Sequence, residues 1–258
     1  MKFFPVIAVI LFSTFGAAAQ MTNDLSGAEI QGRQLAQKIL EQWPAEDSTN
    51  TGVLEIHNSQ IREKVPLTCE TVVTSTNWQS IYTASWTNKV EILLVVHATG
   101  QSNTYFYGTN DLNKVPLLDD IPILGHLFRS SQKLSGAKLT VPFANSDFWF
   151  CDLGLEFFHW PEQKILKKEL HRSRGCAVLE STNPHPAPNG YSRVVSWIDE
   201  ETLGIVEAYA YDARGKLLKD FEPKDFKKIH GQWQMQTLVM ENVQTGSRSR
   251  MEFDLKEK

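Results

Sequence analysis

Seven histidines, three cysteines and one run of carboxylates are the residues of this 258-residue chain whose types could carry chemistry. Their spacing does not assemble any. His57, His97, His126, His159, His171, His185 and His230 are scattered, and no His or Cys pair has the spacing of metal ligands. The chain has no G-x-S-x-G elbow, H-E-x-x-H helix, P-loop or G-x-G-x-x-G turn. His97 sits in the apolar run Val90 to Ala98 and reads as a hydrogen-bonded core or face residue rather than a base. Asp199-Glu200-Glu201 falls between two strands and reads as a solvated turn. Cys69, Cys151 and Cys176 form no C-x-x-C, and three cannot all pair within one chain. They read as small buried residues, with a Cys151–Cys176 bridge as the alternative. The expectation is a binding protein, not an enzyme, with no catalytic residue, metal ligand or cofactor.

The residues that could bind are aromatic. Trp78, Trp86, Phe106, Phe148, Phe150, Phe157, Trp160 and Trp197 are the candidate liners of an apolar cavity. Large aromatics also dominate ordinary cores, so each alone has that plainer reading. As a group they say more. Phe148-Trp149-Phe150 and Phe157-Phe158 are consecutive, and successive strand residues point to opposite faces. Some of them must face a loop, a lid or a ligand. A second set lies in an irregular stretch, 112–140, rich in Pro, Gly and Leu. Its residues Leu118, Ile121, Ile123, Leu124, Leu127 and Phe128 need cover, which a flap over a concave sheet would provide.

The elements that must position these residues are mostly strands. Ser26-Gly27-Ala28-Glu29 is a capping box, and Ile30, Leu35, Ile39, Leu40 and Trp43 follow near helical spacing. This predicts one amphipathic helix over 26–43, either packed plainly on a sheet or plugging a concave surface. After a polar loop at 45–51, short β-rich runs follow with hairpin-type breaks at Asp212-Ala213-Arg214-Gly215, His230-Gly231 and Gln244-Thr245-Gly246. In the last run Met251, Phe253 and Leu255 alternate with Arg250, Glu252 and Asp254, the pattern of a sheet with one apolar and one wet face. Sequential hairpins without long helices predict an antiparallel meander. About ten strands in one sheet curl strongly, and the concave apolar face then needs a helix, a flap or a ligand. The fold class is α+β.

The N-terminus sets a compartment. Lys2, the apolar run Phe3 to Phe15 and the small residues Gly16-Ala17-Ala18-Ala19 have the order of a cleavable signal peptide over 1–19. No cysteine follows to carry a lipid anchor, so an exported soluble protein in the periplasm is expected, one domain over 20–258. The net charge of −4 argues against nucleic-acid binding, which needs a basic patch or stripe. A monomer is expected.

From Ser146 onward the chain resembles the outer-membrane lipoprotein-sorting family. The residues that carry the likeness are Ser146-Asp147-Phe148-Trp149 leading to Asp152-Leu153, and His159-Trp160-Pro161. Gly175-Cys176-Ala177-Val178-Leu179-Glu180-Ser181 follows, then Tyr191 through Val194-Val195-Ser196-Trp197-Ile198-Asp199. Tyr211-Asp212 with Gly215-Lys216-Leu217-Leu218-Lys219, Gly231-Gln232-Trp233 and the Thr245-Gly246 hairpin complete the set. The resemblance implies a LolA-like incomplete barrel whose concave cavity holds acyl chains. Its implied partners are an acylated lipoprotein or lipid, an inner-membrane transporter and an outer-membrane acceptor. Docking on such envelope machinery without carrying lipid is the alternative. The family's charged lid latch has no match here. Val115 to Arg129 is similar to the signature loop of outer-membrane secretins, with Asp119 where a glycine is usual, and nothing else in the chain resembles a secretin.

Overall fold

The computed structural model describes residues 25–111, 132–229 and 232–255. The expected signal peptide and the six flap residues Leu118, Ile121, Ile123, Leu124, Leu127 and Phe128 lie outside them.

Helix α1 (Gly27–Leu40) starts where the capping box places it. The Ser26 backbone N–H donates to Glu29 Oε2 at 2.7 Å, and the Glu29 N–H donates back to Ser26 Oγ at 3.3 Å. It ends at Leu40, short of the expected Trp43, because a residue before proline disfavours the helical region.

The first strands are β1 (Ser48–His57), β2 (Arg62–Val73), β3 (Trp78–Ser85), β4 (Lys89–His97), β5 (Thr104–Asp111) and β6 (Gln132–Leu134). After a stretch of short helices come β7 (Glu162–His171), β8 (Arg174–Thr182), β9 (Tyr191–Asp199), β10 (Ile205–Asp212) and β11 (Leu217–Pro223). The chain closes with β12 (Phe226–Ile229), β13 (Gln232–Met235), β14 (Thr237–Asn242) and β15 (Ser247–Phe253). Thirteen of these strands form one antiparallel sheet in the order β6-β5-β4-β3-β2-β1-β15-β14-β11-β10-β9-β8-β7, and β12 with β13 forms a separate hairpin. The sheet is curved and not closed into a barrel, as the sequence led us to expect.

Three boundaries differ from the sequence reading. The loop expected at 45–51 is already strand from Ser48, because β1 pairs with the far half of β2 (Ser48 opposite Thr71) and pairing outweighs local propensity. The first half of β2 was hidden by its charges and by Pro66. Since β3 pairs with β2 only from Leu67, Pro66 sits where one side of the strand has no neighbour. The β-rich run between the His230-Gly231 and Gln244-Thr245-Gly246 breaks is split at Gln236, so that β13 leaves the main sheet for β12.

The two halves of the sheet meet at β1 and β15. A Cβ on Gly52 would lie 2.1 Å from the Glu252 carbonyl oxygen, so only glycine fits this seam. The main core fills the concave side, with Leu54, Leu67, Leu93, Leu179, Ile198, Met240 and Met251 from the sheet facing Phe143, Phe148 and Phe150 from the crossing segment, residues 139–160 between β6 and β7. A smaller cluster of Ile81, Val90 and Ile92 lies apart from it.

Helix α1 packs on β7 at backbone distance. A Cβ on Gly32 would come within 2.5 Å of the Lys164 nitrogen. Alanine would add roughly 1 kcal/mol of helix propensity. Overpacking against an unyielding strand backbone costs about 1–3 kcal/mol. We therefore expect Gly32→Ala to lower the melting temperature by several degrees, checked by thermal unfolding. A rise in melting temperature would show that the helix is free to shift.

Candidate functional site

Antiparallel pairing puts the turns of the sheet at two ends. One end carries the β2–β3, β4–β5, β7–β8 and β9–β10 turns and the β12–β13 hairpin. A cavity of about 1550 Å³ opens there, larger than the roughly 300–1,000 Å³ typical of small-molecule pockets. Its walls are Ala36, Ile39 and Leu40 of α1, Trp78 and Tyr82 of β3, Leu153, Phe158 and Trp160 of the crossing segment, and Leu203, Ile205, Phe221, Met235 and Leu238 of the C-terminal half. α1 follows β7 to this mouth, where Gln42 Nε2 donates to the Thr202 carbonyl at 3.2 Å. The helix is thus both packed on the sheet and a wall of the cavity.

Polar groups mark one side of the wall. His97 stacks on Trp78 with ring centroids 3.7 Å apart, and its Nε2 lies 3.1 Å from Ser80 Oγ. Burial pushes the His97 imidazole down to about 4, so it is neutral at physiological pH. Burial also lowers His159, whose Nε2 has no partner among the described residues. At the rim, Arg172 pairs with Glu207 and Glu222, and Arg174 with Asp199. Asp199 is buried, accepting the Glu201 and Thr202 N–H groups at 2.9 Å each, so only part of the carboxylate run is a solvated turn.

The opposite end is closed by the segment from Leu139 to Leu153, pinned by a buried polar network. Lys219 is 1 % exposed. Its Nζ donates to the Asp147 carbonyl at 2.5 Å and to Asp152 Oδ2 at 3.1 Å, and lies 3.6 Å from the Trp149 ring centroid. Tyr191 Oη donates to Asp152 Oδ1 at 2.9 Å, and the Trp149 N–H donates to Asp152 Oδ2 at 2.7 Å. Asp147 in turn accepts from Ser247 Oγ at 2.5 Å and Ser249 Oγ at 2.8 Å. Burial raises Tyr191 well above the usual phenol range and lowers Lys219. Just ahead of the network, Ala144 and Asn145 adopt φ of 53° and 58°, conformations that need support from their surroundings, and the Ala144 N–H donates to Glu91 Oε2 at 3.0 Å.

Of the eight aromatics singled out in the sequence, Trp78 and Trp160 line the cavity. Phe148, Phe150 and Phe157 are buried in the core of the crossing segment; Phe150 and Phe157 sit on short helical turns and Phe148 in the loop ahead of them, none of them on a strand. Trp86 sits near the closed end, donating from Nε1 to Glu63 Oε1 at 2.9 Å. Phe106 points away from its neighbours Tyr105 and Tyr107, whose side chains enter the main core. Trp197 lies on the convex face, stacked on His171 and donating to Glu169 Oε1 at 2.7 Å. Phe158, of the consecutive pair Phe157-Phe158, lines the cavity as well; the liners missed in the sequence are Tyr82 and Phe221 together with the aliphatic Leu40, Ile205 and Leu238. Their spacing resembles any amphipathic element, so no local signal separated wall from core. The three cysteines are free; Cys151 and Cys176 are buried, so they do not form the alternative bridge. Among the described residues no His, Cys, Asp and Glu group could hold a metal, and no helix is long and apolar enough to cross a membrane.

A family model described as "Uncharacterized protein" matches residues 128–256, half of the chain. The chain belongs to this family. The match takes in the crossing segment, Asp147, Asp152, Tyr191 and Lys219, so it contains the whole pinning network. No curated protein matches the chain. Among solved structures, a DUF1329 family protein from Desulfovibrio piger is 17 % identical, with 89 % of this chain and 92 % of that chain covered and a TM-score of 0.67. A Vibrio parahaemolyticus domain described as outer-membrane lipoprotein-sorting is 20 % identical, covering 88 % and 92 %, also with a TM-score of 0.67. A LolA superfamily protein from Nitrosomonas europaea is 15 % identical, covering 90 % and 94 %, with a TM-score of 0.57. These likenesses show that the chain has the LolA-like fold.

Glu156 adds a pH-sensitive contact to the crossing segment. Tyr105 Oη donates to its Oε2 at 2.9 Å, and burial pushes the carboxyl up to about 7. A carboxyl raised in the folded state contributes most when protonated, and that contribution fades as pH rises from about 4.5 through about 7. We expect Glu156→Gln, which keeps an acceptor for Tyr105, to flatten the loss of stability over this window. At pH 8 it should gain about 2 kcal/mol over the parent. Urea unfolding at several pH values checks this; parallel pH curves for the two proteins would contradict it.

Proposed function

We propose that the protein is an exported carrier that shelters acyl chains of lipids or lipoproteins on the way to the outer membrane. The observation that carries the reading is the apolar cavity of about 1550 Å³, held open between α1, the crossing segment and the concave sheet. Acyl chains need such shelter in water, since each buried CH₂ is worth about 0.8 kcal/mol. Sheltering requires burial and a way in, not bond chemistry, so the reading asks for no catalytic group. The LolA-like fold and the neighbour described as outer-membrane lipoprotein-sorting support the cargo class.

In this reading residues 1–19 are a removed leader, and 20–258 work as one monomeric domain in the periplasm. An inner-membrane transporter loads the cavity and an outer-membrane acceptor empties it. Titration of the purified protein with a fluorescent fatty acid tests the binding step. Saturable binding, reversed by unlabelled fatty acid or phospholipid, is the expected result. Binding that never saturates, or that unlabelled lipid cannot displace, would sink the proposal.

A further inference from the structure

The β12–β13 hairpin stands outside the thirteen-stranded sheet, at the mouth of the cavity. Ile229 roots it in the main core. Ahead of that root, Lys224, Asp225, Phe226, Lys227 and Lys228 form an unbroken exposed run, with Phe226 50 % exposed although it lines the cavity rim. Three lysines against one aspartate give this short run a charge of +2, in a chain whose net charge is −4. The rim arginines 172 and 174 are each committed to carboxylates. Among the described residues, Lys227 donates to the neutral Leu255 carbonyl, at 2.7 Å, and pairs with no carboxylate. Lys224 pairs with Glu222 at 3.0 Å, and Asp225 lies 3.9 Å from Arg250.

An exposed aromatic flanked by lysines is the combination that settles at a bilayer interface, the ring among the acyl ends of the headgroups and the ammonium groups against anionic phosphates. We infer that this hairpin docks the mouth of the cavity on an anionic lipid surface. The placement gives the docking a purpose that rests on the carrier reading: Phe226 touches the bilayer and the cavity at once, so an acyl chain passes between them without crossing water. The docking itself does not depend on what the cavity holds.

Vesicle flotation of the full chain tests the inference, with vesicles of phosphatidylcholine alone and with added phosphatidylglycerol. The protein should float with the anionic vesicles only, and high salt should release it. Lys228→Glu moves two charges and should weaken binding on the order of tenfold. Phe226→Ser should weaken it several-fold at any salt. Lys228 does not line the cavity, so Lys228→Glu should bind fluorescent fatty acid as the parent does. A parent that ignores both vesicle types overturns the inference, and the basic hairpin would then face another partner such as an acidic protein surface. Flotation unchanged by both variants overturns it as well. Flotation as expected with no fatty-acid binding would instead remove the carrier reading and leave the docking standing.

Discussion

Lys219→Met is expected to destabilise the fold by about 3–5 kcal/mol, the cost of leaving a buried carboxylate without its partner. Lys219 is 1 % exposed, and its ammonium ties Asp152 and the Asp147 carbonyl to the sheet. Methionine fills nearly the same volume, so the loss comes from the orphaned Asp152 rather than from a cavity. At about 2–4 °C per kcal/mol for a protein of this size, the melting temperature should fall by roughly 10 °C. The double change Lys219→Met with Asp152→Leu should recover part of the loss, since removing both members of a buried ion pair is far cheaper than removing one. Recovery will be incomplete, because Asp152 also accepts from Tyr191 and from the Trp149 N–H. Chemical denaturation of the three proteins gives the answer. A single variant within 1 kcal/mol of the parent would show that the network does not pin the crossing segment.

A charge placed in the cavity wall should abolish most acyl binding. Leu40 and Ile205 are half-buried, and both line the cavity, from α1 and from β10. Their partial exposure makes Leu40→Glu and Ile205→Glu tolerable to the fold. Bringing an acyl chain against either carboxylate strips its water without replacing it. A desolvation cost of about 2 kcal/mol, modest for a charged group, weakens binding roughly 30-fold. Trp197→Glu is the control. It lies on the convex face and should leave acyl binding unchanged. Fluorescent fatty-acid titration of the three variants separates the outcomes. Full binding by both wall variants would mean that the ligand sits elsewhere.

How much of this was legible in the sequence depended on whether the signal was local. The capping box at Ser26 and Glu29 fixed where α1 begins, because its two hydrogen bonds are made within one turn. The alternation of Met251, Phe253 and Leu255 identified a core-facing strand edge, and all three are buried. Trp197 could not be oriented in the same way. Val194-Val195-Ser196-Trp197-Ile198 is apolar on both faces, since the convex side of β9 also carries packed aromatics. Parity therefore gave no direction.

Lys219 was equally opaque. In Lys216-Leu217-Leu218-Lys219 it reads as one more solvated lysine. Its partner Asp152 lies 67 residues earlier, and only the closed fold brings them together. The family-like motifs around Asp147, Asp152, Tyr191 and Lys219 were visible as words before their physical content was. Together they are the fastening of the crossing segment, and of the four only Asp152 also reaches the cavity lining. The apolar part of the cavity wall is built from ordinary aliphatic and aromatic residues contributed by several elements, which no single stretch of sequence announces.

The central claim is that the cavity carries acyl cargo in its native setting. Native mass spectrometry with lipid extraction, on protein purified from its own envelope fraction, tests it most directly. The account predicts a co-purifying phospholipid or acylated protein in stoichiometric amount, lost from the Leu40→Glu and Ile205→Glu variants. A protein that emerges empty, or whose bound lipid is indifferent to both substitutions, would contradict it.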